Sequence, residues 1–313
     1  MSNFKIILVM ISIFIISFSS FSVFAYKFPT GLEVTEKKFF SKNFDNGNRI
    51  ILIGSSHVGQ LNTTHINNNL KNKINYEIIN LSYNGDTPSR RIQIINEMIT
   101  LRPKIVIYGI SYRDIQTQIN ENPLPDPKWF LNQFSKEEFH SDITVNPKLI
   151  TLNFVRGLTD TSNSQKTDIV FENTPFFKYN PDSQMHIVND KELEKQSKIS
   201  ESARFNLERP IHNKEVKHLI EIIQKFKQNN IKIVLFLTPL NNHYLNTISP
   251  TQHEIFNSTV DYIKNETHVP IYDLQYKYSS MPIWANISHV AFNEKSLIYS
   301  DDVSKIILDE LDQ

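Results

Sequence analysis

The chain has no cysteine, which removes disulfides, thiolate metal sites and cysteine nucleophiles in one step. It also has no net charge. Its 33 lysines and arginines balance 33 aspartates and glutamates, so no long-range field draws nucleic acid or an anionic membrane surface. Nucleic acid is therefore not an expected partner. Glycine is scarce, with seven in 313 residues, so each one at a predicted turn carries weight. The sequence holds no His-x-x-x-His pair on a helix, no acidic calcium loop and no glycine-rich phosphate cradle, and it implies no metal and no cofactor.

What is present begins with an apolar run, Ile6 to Phe24, preceded by Lys5 and ending at Val23-Phe24-Ala25. This has the form of a secretory signal. At about 19 residues it is also just long enough to remain as a membrane anchor. Either reading places the rest of the chain outside the cytoplasm, secreted or held at the outer face of the cell membrane. No later segment is apolar enough to cross a bilayer.

A polar lead-in covers residues 26–48. Arg49 to Gly54 is then a short β-branched run that stops at glycine, as buried parallel strands do. Tyr76 to Leu81 and Lys104 to Tyr108 repeat the pattern, separated by a predicted helix from Pro88 to Leu101 that Pro103 closes. The alternation resumes with a helix over Asn213 to Asn230, marked by Val216, Leu219, Ile220, Ile223 and Phe226. The strand Ile231 to Leu237, a helix near Pro250 to Lys264, a short strand at Pro270 to Leu274 and a terminal helix near Asn293 to Leu311 follow. Such alternation predicts a three-layer α/β/α domain on a five-stranded parallel sheet, built from residues 49–114 and 213–313. Residues 115–212 do not continue it. Rich in proline, asparagine and aromatics, they read as an insertion or lid subdomain, with short helices near Lys128 to Phe139 and Lys148 to Arg156. Its Trp129, Phe130, Phe134, Phe176 and Phe177 supply either a wall over a substrate or the subdomain's own core.

In open parallel sheets the ligand site lies beyond the carboxyl ends of the strands. The first strand ends in Gly54-Ser55-Ser56-His57-Val58-Gly59, which presents a serine hydroxyl at the head of a helix, where free amides and the helix dipole suit an oxyanion. The second ends in Ser82-Tyr83-Asn84-Gly85-Asp86 and the third in Tyr108-Gly109-Ile110-Ser111-Tyr112-Arg113-Asp114. Near the C-terminus, Asn286-Ile287-Ser288-His289 supplies a histidine for use as a general base. His57 follows the serine directly, and because neighbouring side chains leaving a strand diverge, capping or support of the site is its expected role. Asn241, Asn242 and His243 after the fourth strand are expected to form a polar turn.

Taken together these blocks resemble the SGNH or GDSL hydrolase superfamily, which carries serine, glycine, asparagine and histidine in that order. Within it the likeness is to the divergent branch of alginate and peptidoglycan O-acetylation proteins. The resemblance covers roughly Arg49 to Asp114 and Asn213 to Leu311 and implies a flavodoxin-like sheet of SGNH type. It implies Ser56 as nucleophile and His289 as base, with the Ser56 and Gly85 amides in the oxyanion hole. Two positions depart from the family pattern. The third-block asparagine falls on Ser111, so Ser111, Tyr112 or Asn84 would complete the oxyanion hole. The aspartate three residues before the histidine is Asn286, which can orient an imidazole but carries no charge. Either the protein works as a serine–histidine dyad or another carboxylate, Asp273 before Asp301, takes that role. The implied substrate is an ester, chiefly an acetyl group on an envelope glycan, with the acyl group passed to water or to a sugar hydroxyl. The alternative is an inactive glycan-binding or scaffold protein of the cell envelope, and the Ser56–His289 geometry discriminates the two.

Overall fold

The computed structural model describes residues 36, 38–41, 48–116, 169–200 and 206–312. The expected leader over residues 1–25 and the two helices expected near Lys128 to Phe139 and Lys148 to Arg156, with Trp129, Phe130 and Phe134, lie outside them. No helix among the described residues is long and apolar enough to cross a membrane. The chain divides into two units, Met1–Phe44 and Asp45–Gln313. In the first, Phe39 and Phe40 meet edge to face at 5.3 Å.

The second unit begins with strand β1 (Arg49–Ile53), the short helix α1 (Ser56–Gly59), helix α2 (Thr63–Leu70) and strand β2 (Glu77–Asn80). Helices α3 (Pro88–Arg91) and α4 (Ile95–Thr100) lead to strand β3 (Ile105–Ile110). The single helix expected over Pro88 to Leu101 is interrupted by a 3₁₀ turn at Ile92–Ile94. The interruption follows Arg91, whose buried guanidinium turns inward to Asp86 and to the Leu81 carbonyl. A hairpin of β4 (Ile169–Phe171) and β5 (Thr174–Tyr179) and helices α5 (Pro181–Gln184) and α6 (Asp190–Ser200) come next. The chain closes with α7 (Lys214–Gln228), β6 (Lys232–Leu237), α8 (Asn242–Leu245), α9 (Pro250–Thr267), β7 (Ile271–Asp273) and α10 (Leu297–Leu311).

Five parallel strands form one sheet in the order β2-β1-β3-β6-β7. The expected five-stranded three-layer α/β/α architecture is the observed one. Its cause is visible in β3, where all six residues are buried, as a central strand covered on both faces requires. One face, formed by Ile50, Leu52, Ile105, Ile107, Val234 and Phe236, shares a core with Ile66 of α2 and Val303, Ile306 and Ile307 of α10. The alternate residues Ile51, Ile53, Val106, Tyr108, Ile233 and Leu235 point to the other face. There α7 packs against α3, α4 and α9. Helix α7 starts at Asn213, whose side chain accepts the Val216 N–H, and it buries Val216, Leu219, Ile222, Ile223 and Phe226. Ile222 takes the inward place expected of Ile220. Each such side chain contributes about 1.5–3 kcal/mol of burial.

The described part of the expected insertion is built into this domain. The Asn173 carbonyl accepts the Asn80 N–H at 2.8 Å, at the end of β2. Phe177 is fully buried against Gly59, where an added Cβ would lie 2.4 Å from its ring. Tyr179 donates to the Gly59 carbonyl, and its ring lies 4.2 Å from that of Phe292, tilted by 43°. Further along, Val188 N–H donates to Trp284 O at 2.9 Å, and Gln196 accepts the Ile287 N–H at 3.2 Å. The hairpin thus backs the helix that carries Ser56, and α6 backs the loop that carries His289.

Candidate active site

Strand β1 ends at Gly54 with φ +143°, a conformation open to glycine and strained for other residues. A side chain there would sit 2.6 Å from the Gly109 carbonyl and 2.5 Å from Val58 Cγ2. Gly109 at the end of β3 is equally tight, with a Cβ falling 2.4 Å from the same methyl. Val58 is therefore wedged between the ends of two central strands. That wedge seats α1 and fixes Ser56 as its first residue, with its amide among those that have no acceptor inside the helix.

His289 arrives from the opposite end of the chain. A bridge between Trp284 and Val290 closes its loop, and Ala285 N–H donates to the His289 carbonyl at 2.9 Å. The loop sets His289 Nε2 2.7 Å from Ser56 Oγ. On the other edge of the ring, Nδ1 lies 3.0 Å from Asn286 Oδ1 and 2.9 Å from Ser288 Oγ. The same Asn286 oxygen accepts the backbone N–H of Ser288 at 3.0 Å and of His289 at 2.9 Å. Two backbone donors identify that atom as the oxygen, so Nδ1 carries the proton and Nε2 is the free lone pair. The hydroxyl of Ser56 then donates to Nε2, which is the arrangement of a nucleophile and its base.

The electrostatics differ from those of a carboxylate-backed histidine. Burial, and then the nearby positive charge of Arg113, pull His289 down to about 4, so the ring is neutral and ready to accept a proton. Among the described residues, no carboxylate is hydrogen-bonded to it. Asp273, expected as a substitute, is exposed and accepts the Gln275 N–H at 2.8 Å within its own loop. Asp301 bonds His65 at 2.7 Å on the outer side of α2. That expectation is corrected: the carboxylate at the end of the last strand caps its own turn here, and Asn286 and Ser288 hold the Nδ1 edge.

The remaining sites fall as follows. Asn84 and Gly85 form an exposed turn, with Gly85 at φ +68°, and Tyr83 N–H ties that turn to the Gly54 carbonyl at 3.3 Å. Beneath it, fully buried Arg91 pairs with Asp86. Ser111 is not aimed at an oxyanion. Its amide and hydroxyl donate to Asp114 Oδ2 at 2.7 and 2.9 Å, so the expected oxyanion role of this hydroxyl is corrected. Tyr112 is also turned away, with its hydroxyl 2.7 Å from His253 Nδ1. Asn241 caps α8 through the His243 N–H, and His243 meets Asp190 at 2.8 Å, which makes this the polar turn expected.

Sequence reasoning missed three features. The His57 ring lies parallel to that of His289, with centroids 4.7 Å apart and 5° between planes. Ser55 Oγ sits 3.2 Å from His57 Nδ1. Arg113 brings its charge to both imidazoles. Among the described residues, no group of histidine and carboxylate side chains could hold a metal ion.

No protein-family model and no curated protein matches the sequence. Solved structures to which it is similar include an acetyl xylan esterase, at 11% identity and TM-score 0.42, covering 83% of this chain and 99% of that one. Another is a lipolytic protein assigned to the G-D-S-L family from Desulfitobacterium hafniense, at 11% identity, TM-score 0.41 and coverage of 83% and 99%. A third is a catalytic mutant of an acetylxylan esterase from Geobacillus stearothermophilus, at 12% identity, TM-score 0.39 and coverage of 86% and 96%.

Proposed function

We propose that this protein is a serine esterase or O-acyltransferase of SGNH type, acting on an ester, chiefly acetyl, of an envelope glycan. One observation carries the reading: Ser56 Oγ is 2.7 Å from the unprotonated nitrogen of His289, at the carboxyl edge of a parallel sheet. The Ser56 hydroxyl attacks the ester carbonyl as His289 Nε2 takes its proton. Asn286 steadies the Nδ1–H while the ring is charged. The Ser56 amide at the head of α1, with that of Gly85, receives the oxyanion. The intermediate collapses with transfer of the proton from His289 to the leaving alcohol, and water or a sugar hydroxyl then resolves the acyl-enzyme. The apolar run from Ile6 to Phe24 supports action outside the cytoplasm, secreted or anchored.

The test uses p-nitrophenyl acetate and a fluorophosphonate probe. The wild type should turn over the first and be labelled by the second, and Ser56→Ala or His289→Ala should lose at least about 10³-fold in both. Labelling that survives loss of Ser56 sinks the assignment. The neutral residue behind His289 favours a second reading, an inactive glycan-binding or scaffold protein, for which the wild type is silent with both reagents.

A further inference from the structure

The Ser56–His289 pair keeps its geometry with an uncharged residue on Nδ1, and the edge contacts of Asn286 and Ser288 leave the face of the imidazole free to tilt. That face is covered by His57. His57 is buried, and its position is fixed at three places. Its backbone belongs to the helix wedged by Val58, its carbonyl accepts the Tyr299 hydroxyl at 3.3 Å, and its Nδ1 meets Ser55 Oγ at 3.2 Å. Ser55 itself is buried in the turn between β1 and α1, so the contact to Nδ1 comes from a fixed part of the backbone.

We infer that His57 is the positioning residue of the base. Held by the backbone of α1, its ring confines the His289 imidazole to one plane and so performs part of the orienting duty that a carboxylate on Nδ1 would perform. A parallel neighbour at 4.7 Å lets the ring turn only by pushing into it, and within the plane Asn286 selects which edge faces Ser56. Burial, the His289 ring and Arg113 all keep His57 uncharged. A neutral flat ring can sit face to face with an imidazolium formed during reaction, whereas a charged one would repel it. This rests on the proposed Ser56–His289 chemistry but is measurable apart from it.

The experiment compares His57→Leu, which fills the volume without a flat face, and His57→Phe, which restores the face without nitrogens. Phosphonate labelling of Ser56 should slow about tenfold in His57→Leu and stay within about threefold of wild type in His57→Phe, as loss and recovery of alignment predict. In an Asn286→Asp background the penalty of His57→Leu should shrink, because the carboxylate then orients the ring by itself. A purely structural role would give the same loss in both backgrounds. The Nδ1 proton of His289, followed by NMR in the isolated protein, should exchange slowly in wild type and His57→Phe and fast in His57→Leu. His57→Leu matching the wild type, or His57→Phe as slow as His57→Leu, overturns the inference. Should the wild type prove inert to phosphonate and ester, the proposed function fails and the NMR comparison alone decides the role of His57, in the same two directions.

Discussion

The side-chain oxygen of Asn286 lies 3.0 Å from His289 Nδ1 while it accepts two backbone N–H groups, of Ser288 and of His289 itself. Those backbone donors hold the amide against flipping, so an asparagine presents its oxygen to the base permanently. A free asparagine could offer its NH₂ and force the wrong tautomer, and here the loop forbids it. What is lost relative to aspartate is charge, and the consequence is a base that is correctly aimed but weak.

Asn286→Asp should therefore be a gain-of-function change. A carboxylate at this distance favours the imidazolium, which raises the His289 pKa and stabilises the charged ring as Ser56 attacks. In the wild type the ring is held to about 4, so labelling by phosphonate should fall only as the pH drops through about 4 and be flat above about 5. In Asn286→Asp that acid limb should move toward neutrality, and the plateau rate should rise about tenfold, following roughly one decade per 1.4 kcal/mol. Rates measured between pH 4 and 9 decide it. An unchanged limb means the aspartate does not reach Nδ1.

Gly54 and Gly85 both hold left-handed backbone, at φ +143° and +68°, but they differ in the space around them. An alanine at Gly54 meets the Gly109 carbonyl and Val58, whereas nothing lies within 4 Å of a Cβ at Gly85. Gly54→Ala should cost about 3 kcal/mol or more through combined strain and clash, against about 1 kcal/mol for Gly85→Ala. Urea unfolding of both variants gives the comparison. Equal costs would mean that the β1–β3 contact relaxes freely and does not seat Ser56.

Phe177→Ala should destabilise the whole α/β domain by about 3–5 kcal/mol, since a fully buried ring that fills the groove beside Gly59 leaves a cavity. A lid that folds separately would instead unfold in its own transition and leave the main one in place. Thermal unfolding followed by two probes separates these outcomes. A main midpoint that does not move would return residues 169–200 to the status of a detachable subdomain.

The strands and the order of the site residues were legible because they rest on local pattern. β1, β3 and β6 are unbroken β-branched runs that end at glycine or just before proline. The turns after β1 and β2 and the loop before α10 carry serine, glycine and histidine in a readable order. The hairpin was not legible. β4 is three residues long and exposes Ile169 and Val170, so it lacks the alternation of a half-buried strand. Helix α6 buries Leu193 among charged neighbours and shows too narrow an apolar stripe to stand out. Asp273 misled because a carboxylate after a strand is also the ordinary cap of its own turn. The His57–His289 stack depends on two segments that meet only in the folded chain, and no local pattern reports it.

Asp114, which ties the loop after β3 through Ser111, links stability to pH. Burial pushes its carboxyl up to about 7, against the pull of hydrogen bonds from Ser55 and Ser111. In the unfolded chain the group titrates near its ordinary value of about 3.9. Between those values the folded state holds the proton and the unfolded state does not, so stability from this group falls as pH rises from about 4 to about 7 and is level above. The window of about three pH units corresponds to about 4 kcal/mol. His289 and His57, both pulled the other way, gain stability as pH rises through the same interval, so the slope of the wild type alone does not report Asp114. The difference between wild type and Asp114→Asn isolates the carboxyl, because the amide keeps an acceptor for Ser111 and has no charge to bury. The two proteins should unfold at similar urea concentrations at pH 4.5, and the variant should be the more stable by several kcal/mol at pH 8. A gap that stays constant across this range would show that Asp114 is ionised throughout and that the charge is already met by partners in the fold.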